Sequence, residues 1–157
     1  ALSAVITSSK VENNIKKFQG RLQHTTTYQG HSLSAAAALA VQKIVHNDNF
    51  LLNVQKKGKF MMNYLKDSLG NHDFYRDVRG RGMRFSFEYD CNNRDSFSLQ
   101  LGEIMLRKHN IFLSSKFHRI CFTPSLTMTL KEAEFAISKI VKEFNELSKN
   151  WNKKIFK

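Results

Sequence analysis

Residues 83–89 limit the fold of this chain more than any other segment. Apolar side chains occupy every second position here, at Met83, Phe85, Phe87 and Tyr89. A period of two places such side chains on one face of a β-strand. Because helical patterns precede and follow the segment, we predict a strand whose apolar face is covered by helices. That arrangement belongs to the layered α/β class.

Two amphipathic helices are predicted on either side of this strand. Apolar residues three and four positions apart predict a helix that follows Asp48 and ends at Gly70. Thr129 and Glu132 form a capping-box pattern ahead of a second apolar stripe, which predicts the last helix. We therefore expect residues 83–89 to be the central strand of a small C-terminal domain.

The other predicted elements follow from local patterns. Alternation in Leu2–Thr7 predicts a short strand, and residues 8–31 are expected to be mainly loop after a short helical turn. A run of alanines predicts a helix capped by Ser32 or Ser34. Further along, the patterns predict a helix over residues 97–109 and short strands at 111–113 and 119–122. A strand at the second residue also suggests that the chain is part of a longer protein.

Composition narrows the class of protein. The net charge is +12, with 25 Lys and Arg against 13 Asp and Glu, but the basic residues are dispersed and several lie in the tail at 149–157. We interpret this excess as a solvated surface, with a basic nucleic-acid-binding face as the alternative. The most apolar stretch, Ala35–Val45, is too short to span a membrane. Cys91 and Cys121 form no CxxC pair and the histidines show no metal-site spacing, which favours a cytoplasmic protein without a metal.

The segment from His24 to Leu33 holds the residues best suited to bind a ligand. Three threonines and Gly30 lie just before the alanine-rich helix. Hydroxyls and free backbone N–H groups at a helix N-terminus can bind a phosphate. A solvated threonine loop with a capping serine is the alternative that the residues alone leave open.

Four segments together resemble the class III, pyridoxal-phosphate-dependent aminotransferases. The segments are Leu2-Ser3-Ala4-Val5, His24-Thr25-Thr26-Thr27-Tyr28-Gln29-Gly30-His31-Ser32-Leu33, Val78-Arg79-Gly80-Arg81-Gly82-Met83 and Phe122-Thr123-Pro124-Ser125-Leu126-Thr127-Met128-Thr129. They resemble, in order, the strand after the Schiff-base lysine, the loop before an alanine-rich helix, a turn into a strand, and the segment before the last helix. The resemblance spans nearly the whole chain.

The resemblance implies a fold, a cofactor and a set of partners. It implies the C-terminal part of the type I fold, with residues 1–47 ending the large cofactor-binding domain and residues 48–157 forming the small domain. The cofactor would be pyridoxal 5′-phosphate (PLP), at the interface of a homodimer that takes an amino donor and a keto acid acceptor, with no nucleic-acid or membrane partner. Thr27 is similar to the threonine that binds the cofactor phosphate across the dimer, and Thr26 to its neighbour. The Schiff-base lysine is expected upstream of Ala1, so we assign no catalytic residue within this chain.

Two positions depart from the family pattern or from a known motif. Cys121 stands where many relatives have an arginine that binds the substrate carboxylate. Arg119 lies two residues earlier, on the same face of the predicted strand, and could replace that arginine. The alternative is that Arg119 is a surface or structural residue. The change suggests relatives that handle amines or ω-amino acids. Residues 79–82 resemble a GxGxxG loop, but Phe85 occupies the last glycine position, so we predict a tight turn.

The sequence leaves two alternative functions open. Arg79 to Phe87 loosely resembles the strand pattern of an RNA-recognition module, although Arg81 and Met83 stand where the stacking aromatics belong. Aminomutases, racemases and decarboxylases of the same family share the four segments.

Overall fold

The computed structural model describes residues 2–116 and 118–151. The chain divides after Phe50 into two compact units, residues 1–50 and 51–157, which we call the first and second unit. The assignment of residues 1–47 and 48–157 to two domains of a larger fold stays a prediction.

The first unit contains helices α1 (Ser9–Gln19) and α2 (Ser32–Val45). The predicted strand at residues 2–7 is wrong, since these residues have no regular structure and Val5 and Ile6 are almost fully exposed. Alternation alone does not make a strand, because a strand needs the hydrogen bonds of a neighbour. The described part of this unit offers no such neighbour.

Helix α1 is longer than the predicted helical turn. Glu12 and Lys16 form an i,i+4 ion pair at 2.7 Å on its surface. Gly20 closes the helix in a left-handed conformation (φ +70°), with its N–H donating to the Lys16 carbonyl. No residue of α1 is buried, so local interactions define its ends.

The second unit is an antiparallel sheet with helices. Its elements are α3 (Asp48–Leu69, which begins in the first unit), β1 (Tyr75–Arg81), β2 (Arg84–Tyr89), α4 (Arg94–His109), β3 (Ser114–Lys116), β4 (Arg119–Phe122) and α5 (Leu130–Trp151). The strand order is β1-β2-β4-β3. Strand β2 is therefore an inner strand, as predicted from its alternation.

Two strands differ from the prediction. β1 was missed because it is an edge strand in which only Val78 is buried, so it lacks alternation. Residues 111–113 are not a strand, and β3 begins at Ser114. The Ile111 N–H donates to the Met105 carbonyl at 3.1 Å beside left-handed Asn110, so it closes α4 and is not available to a sheet.

The two faces of the sheet have opposite character. Phe85, Phe87 and Tyr89 of β2 point into the core, and Phe87 contacts Phe144 of α5 with ring centroids 5.1 Å apart. On the opposite face, β2 presents Arg84, Ser86 and Glu88, and β4 presents Arg119 and Cys121. We call this second surface the open face.

The N-terminus of α5 is capped by Thr129 and Glu132, as the sequence predicts. The Thr129 N–H donates to Glu132 Oε2 at 2.7 Å, and the Glu132 N–H donates to Thr129 Oγ1 at 3.2 Å. These reciprocal bonds satisfy two N–H groups that the helix itself cannot. The backbone and side-chain bonds from Thr129 also lower the pKa of Glu132.

Candidate functional site

The threonine loop lies in the first unit, just before α2. The Gln29 N–H donates to the Thr26 carbonyl at 3.0 Å, and the His31 N–H donates to the Tyr28 carbonyl at 3.2 Å. Gly30 lies between them with φ +73°, a conformation that other residues avoid. These interactions fold the loop into tight turns that run directly into the helix.

The cap of α2 differs from the prediction. His31 precedes the helix, and its Nδ1 accepts from the Ser34 N–H at 3.3 Å while lying 2.9 Å from Ser34 Oγ. Neither Ser32 nor Ser34 is therefore the cap residue. The sequence did not reveal this, because a histidine rarely accepts this bond in place of Ser, Thr, Asp or Asn.

The hydroxyls of Thr26 and Thr27 remain available. Both residues are exposed, and among the residues that the structure describes their hydroxyl groups have no hydrogen-bond partner. The first turn of α2 contains no acidic residue. Free hydroxyls close to the positive end of a helix, without a carboxylate to repel an anion, suit the phosphate group of a cofactor.

Arg119 lies in the second unit on the open face. It is exposed at the start of β4, and Cys121 follows on the same side of the strand, as predicted. Ser86 on β2 pairs with Cys121, and their side-chain oxygen and sulfur atoms lie 3.9 Å apart. Arg84 and Arg119 line a cleft of about 460 Å³ on this face, with Ser86 and Cys121 between them.

The glycines at 80 and 82 form the predicted tight turn. Gly80 pairs with Phe85 and Arg81 with Arg84, so residues 82–83 connect two antiparallel strands. A Cβ at Gly80 would lie 2.4 Å from the Arg84 carbonyl oxygen. These glycines allow the backbones of β1 and β2 to approach each other. Met83 is buried, whereas an RNA-binding module would need the residue at this position to stack on a base.

His72 and Glu143 are titratable residues whose hydrogen bonds give them structural roles. His72 Nδ1 accepts from the Phe74 N–H at 3.0 Å, and its Nε2 lies 2.8 Å from Ser148 Oγ. Glu143 is buried in α5 and accepts from His109 Nε2 at 2.8 Å and from Lys108 Nζ at 3.1 Å. Glu143 was not predicted as a structural residue, although its position between the apolar residues Ile140 and Phe144 of the helical stripe is a visible signal.

Across 2–116 and 118–151, no three His, Cys, Asp or Glu side chains come together in a way that could hold a metal ion. Cys91 and Cys121 are both free thiols, and burial, followed by the charge of Asp90, raises the pKa of Cys91 to about 11. No helix in that part of the chain is long and apolar enough to cross a membrane.

The fold of the chain is that of solved transaminases. A thermostable (S)-enantioselective ω-transaminase from Thermomicrobium roseum superposes with a TM-score of 0.76 at 20% identity, over 89% of this chain and 33% of its own. An adenosylmethionine-8-amino-7-oxononanoate aminotransferase from Methanocaldococcus jannaschii gives 0.70 at 26% identity, over 82% of this chain and 31% of its own. The architecture is thus part of the type I fold of PLP-dependent transferases.

Sequence comparison identifies the family within that fold. The class-III aminotransferase model matches residues 1–144, and the chain belongs to this family. An acetylornithine aminotransferase from Caldanaerobacter subterraneus subsp. tengcongensis is 30% identical over 115 residues, 73% of this chain and 28% of its own length. An aminotransferase from Gibberella zeae is 35% identical over 88 residues, 56% of this chain and 17% of its own length. The chain therefore spans less than a third of these curated relatives.

Proposed function

We propose that this chain forms the C-terminal part of a PLP-dependent aminotransferase. The enzyme would move an amino group from an amino acid or amine to a keto acid or aldehyde. Residues 1–47 would end the large cofactor-binding domain, and residues 48–157 would form the small domain. Membership of the class-III family, together with the free threonine hydroxyls before α2, supports this function.

The threonine loop would hold the phosphate of the cofactor. Thr27 would donate its hydroxyl to a phosphate oxygen, with Thr26 beside it, because both hydroxyls are exposed and unpaired within the described residues. When bound, PLP supplies an electron sink for the bonds at the substrate α-carbon. The part of this chain in that chemistry is to anchor and orient the group, since none of its lysines stands at the family's Schiff-base position.

The second unit would contribute to substrate binding. Arg119 is exposed on the open face and would bind a substrate carboxylate through its guanidinium group. Cys121, at the position of the arginine found in many relatives, is too short and too weakly polar for that role. The geometry therefore favours Arg119 over Cys121 as the carboxylate ligand.

The proposed protein is a cytoplasmic homodimer. Apolar side chains on α2, including Leu33, Leu39 and Ile44, are more than half exposed. Such a surface is typical of a helix that another part of an assembly covers. The two free thiols agree with a reducing compartment.

The test of this function is the affinity of the complete homodimer for PLP. A hydrogen bond to a charged group contributes about 1.5–3 kcal/mol, and about 1.4 kcal/mol is tenfold in an equilibrium constant. Thr27→Ala should therefore weaken PLP binding by about ten- to a hundredfold in equilibrium dialysis. Thr27→Ser should have a smaller effect because the hydroxyl is retained.

Two controls make the result specific. Thr25→Ala, one residue before Thr26, should leave PLP affinity near that of the parent. Pyridoxal lacks the phosphate, so its affinity should be unchanged by Thr27→Ala. If Thr27→Ala retains the parent's affinity for PLP, or loses affinity for pyridoxal equally, the loop does not bind the phosphate.

A further inference from the structure

Helix α5 continues past the residues that the class-III family model matches. The match ends at residue 144, whereas α5 runs to Trp151. Two side chains in this last part of the helix, Ser148 and Trp151, are buried and hydrogen-bonded to residues of two different loops. We call residues 145–151 the latch. The two loops are the α3–β1 loop (residues 70–74) and the β2–α4 loop (residues 90–93).

Ser148 anchors the latch to the α3–β1 loop. His72 Nδ1 accepts from the Phe74 N–H at 3.0 Å, so the ring proton is on Nε2, which donates to Ser148 Oγ at 2.8 Å. Ser148 Oγ donates in turn to the Asn145 carbonyl at 3.0 Å. A histidine that donates to a hydroxyl cannot also remove its proton, so this Ser–His pair does not form an activated nucleophile. The pair joins the loop to the helix.

Trp151 anchors the latch to the β2–α4 loop. Its indole N–H donates to the Asn92 carbonyl at 2.7 Å, and its ring meets the Phe97 ring edge to face with centroids 5.1 Å apart. Only 6% of Trp151 is exposed. The indole therefore covers one side of the buried aromatic cluster and holds the loop against the end of α5.

The other described contacts of the β2–α4 loop show how it is held. Asp90 lies 3.6 Å from Arg76 and 3.4 Å from Arg94, and these side chains are about half exposed, so both ion pairs contribute little. The Asp90 N–H donates to the Phe74 carbonyl at 2.8 Å, which joins the two loops to each other. The bond from buried Trp151 therefore contributes much of what keeps both loops against the latch.

We propose that the latch opens as a local unit and that its opening controls access to the Cys91 thiol in the β2–α4 loop. The ends of helices and the loops beside them open at a lower free energy than a packed core. Opening separates Ser148 and Trp151 from the two loops, while Phe144 and the four-stranded sheet keep their packing. The device is independent of the proposed aminotransferase activity.

The closed latch also keeps the Cys91 thiol unreactive. Burial, followed by the charge of Asp90, raises the pKa of Cys91 to about 11, so little of the reactive thiolate is present near neutral pH. Release of the loop removes the burial that is the larger cause of this shift. The rate at which a reagent labels Cys91 therefore reports how often the latch is open.

The experiment measures labelling of the 157-residue chain by 5,5′-dithiobis(2-nitrobenzoate). The chain carries Cys121→Ser, so that Cys91 is its only thiol. The Cys91 thiolate attacks the disulfide of the reagent, forms a mixed disulfide and releases thionitrobenzoate, whose absorbance gives the rate. Because local opening exposes little surface, the rate should be nearly constant at urea concentrations below the unfolding transition.

Two variants remove one anchor each, and a third is the matched control. Trp151→Phe keeps an aromatic ring but loses the N–H donor, and Ser148→Ala loses the acceptor for His72. Each should raise the labelling rate by about two- to tenfold, the effect of one lost hydrogen bond. Ser138 Oγ donates to the Phe135 carbonyl at 2.9 Å in the part of α5 before the latch. Ser138→Ala should leave the rate unchanged, and circular dichroism checks that every variant is folded.

Three results would overturn the proposal. An unchanged rate in Trp151→Phe would show that Cys91 reacts while the latch is closed. An unchanged rate in Ser148→Ala would show that the two anchors do not open together. A rate that rises steeply with urea from the lowest concentrations would show that only global unfolding exposes the thiol. None of these results bears on the PLP test of Thr27, so the two proposals can fail separately.

Discussion

Gly58 of α3 lies directly against the backbone of Gly82 in the turn between β1 and β2. A Cβ atom at position 58 would be 1.9 Å from the Gly82 carbonyl oxygen and 2.3 Å from its carbonyl carbon. No Cβ atom fits at such distances. The helix and the hairpin therefore pack backbone to backbone, and this contact requires glycine at position 58.

Gly58→Ala should destabilise the second unit although alanine favours helix. The gain in helix propensity is at most about 1 kcal/mol, whereas overpacking typically costs about 1–3 kcal/mol and here meets rigid backbone. We expect a net loss of about 1–2 kcal/mol in the free energy of unfolding, measured with urea. The exposed neighbour serves as the control, and Lys59→Ala should change stability by about 0.5 kcal/mol or less. Equal stability of the two variants would contradict the close packing.

Phe144→Ala should be among the most damaging changes in the core. The Phe144 ring contacts several other rings at centroid distances of 5.1–6.4 Å, namely those of His72, Phe74, Phe87, Tyr89 and Phe97. A buried Phe→Ala change costs about 3–5 kcal/mol. Phe135→Ala on the same helix, at a half-exposed position, should cost about 1 kcal/mol or less in the same urea titration. Similar losses for both variants would show that the aromatic cluster is not the centre of the core.

His72 should make stability depend on pH below neutrality. Burial, only partly offset by the charge of Asp73, lowers the pKa of His72 below the ordinary histidine value of 6.5. A proton on Nδ1 would also remove the acceptor for the Phe74 N–H. The folded state therefore binds this proton less readily than the unfolded state does. The free energy of unfolding consequently has its full value above pH 6.5 and falls as the pH drops through the lowered pKa.

His72→Asn tests this dependence. Asparagine can still accept the Phe74 N–H and does not titrate, so the variant should lose the decline in unfolding free energy that begins near pH 6.5. The exposed control His24→Asn should retain the decline. An unchanged pH profile in His72→Asn would assign the effect to another group.

Glu143 should stabilise the packing of α4 on α5 by an amount that depends on pH. Burial would raise the pKa of Glu143, but the bonds from His109 and Lys108 and the charge of Lys108 outweigh it and lower the pKa below 4.5. The contribution of Glu143 to the free energy of unfolding is therefore fully present above pH 4.5, and it is lost as the pH falls through the lowered pKa. Glu143→Gln should cost about 1–2 kcal/mol at pH 7, a reduced figure because Lys108 is largely exposed.

The control for Glu143 is an exposed ion pair on α4. Glu103 and Arg107 lie 2.9 Å apart at the surface, and Glu103→Gln should change stability by about 0.5 kcal/mol or less. Unfolding by urea at pH 7 and pH 4 compares the two variants. If Glu143→Gln is as stable as the parent at pH 7, the buried carboxylate does not stabilise the helix pair.

The sequence by itself determined the elements whose signals are local. The period of β2, the apolar stripes of α3 and α5, and the bonds between Thr129 and Glu132 depend on neighbours within a few residues. The same holds for the threonine loop, because Thr26, Thr27 and the start of α2 are adjacent in the chain. These features could be predicted without knowing what they contact.

Only the tertiary structure decided which segments pair and which charges meet. Residues 2–7 alternate like a strand yet remain irregular in the first unit, while β1 lacks alternation yet pairs with β2. Strand pairing depends on hydrogen bonds between distant residues, and no local pattern encodes them. For the same reason the sequence singled out Arg119 but not Arg84. The register of β2 against β4 places both arginines on one cleft, although the paired residues Ser86 and Cys121 are 35 positions apart in the chain.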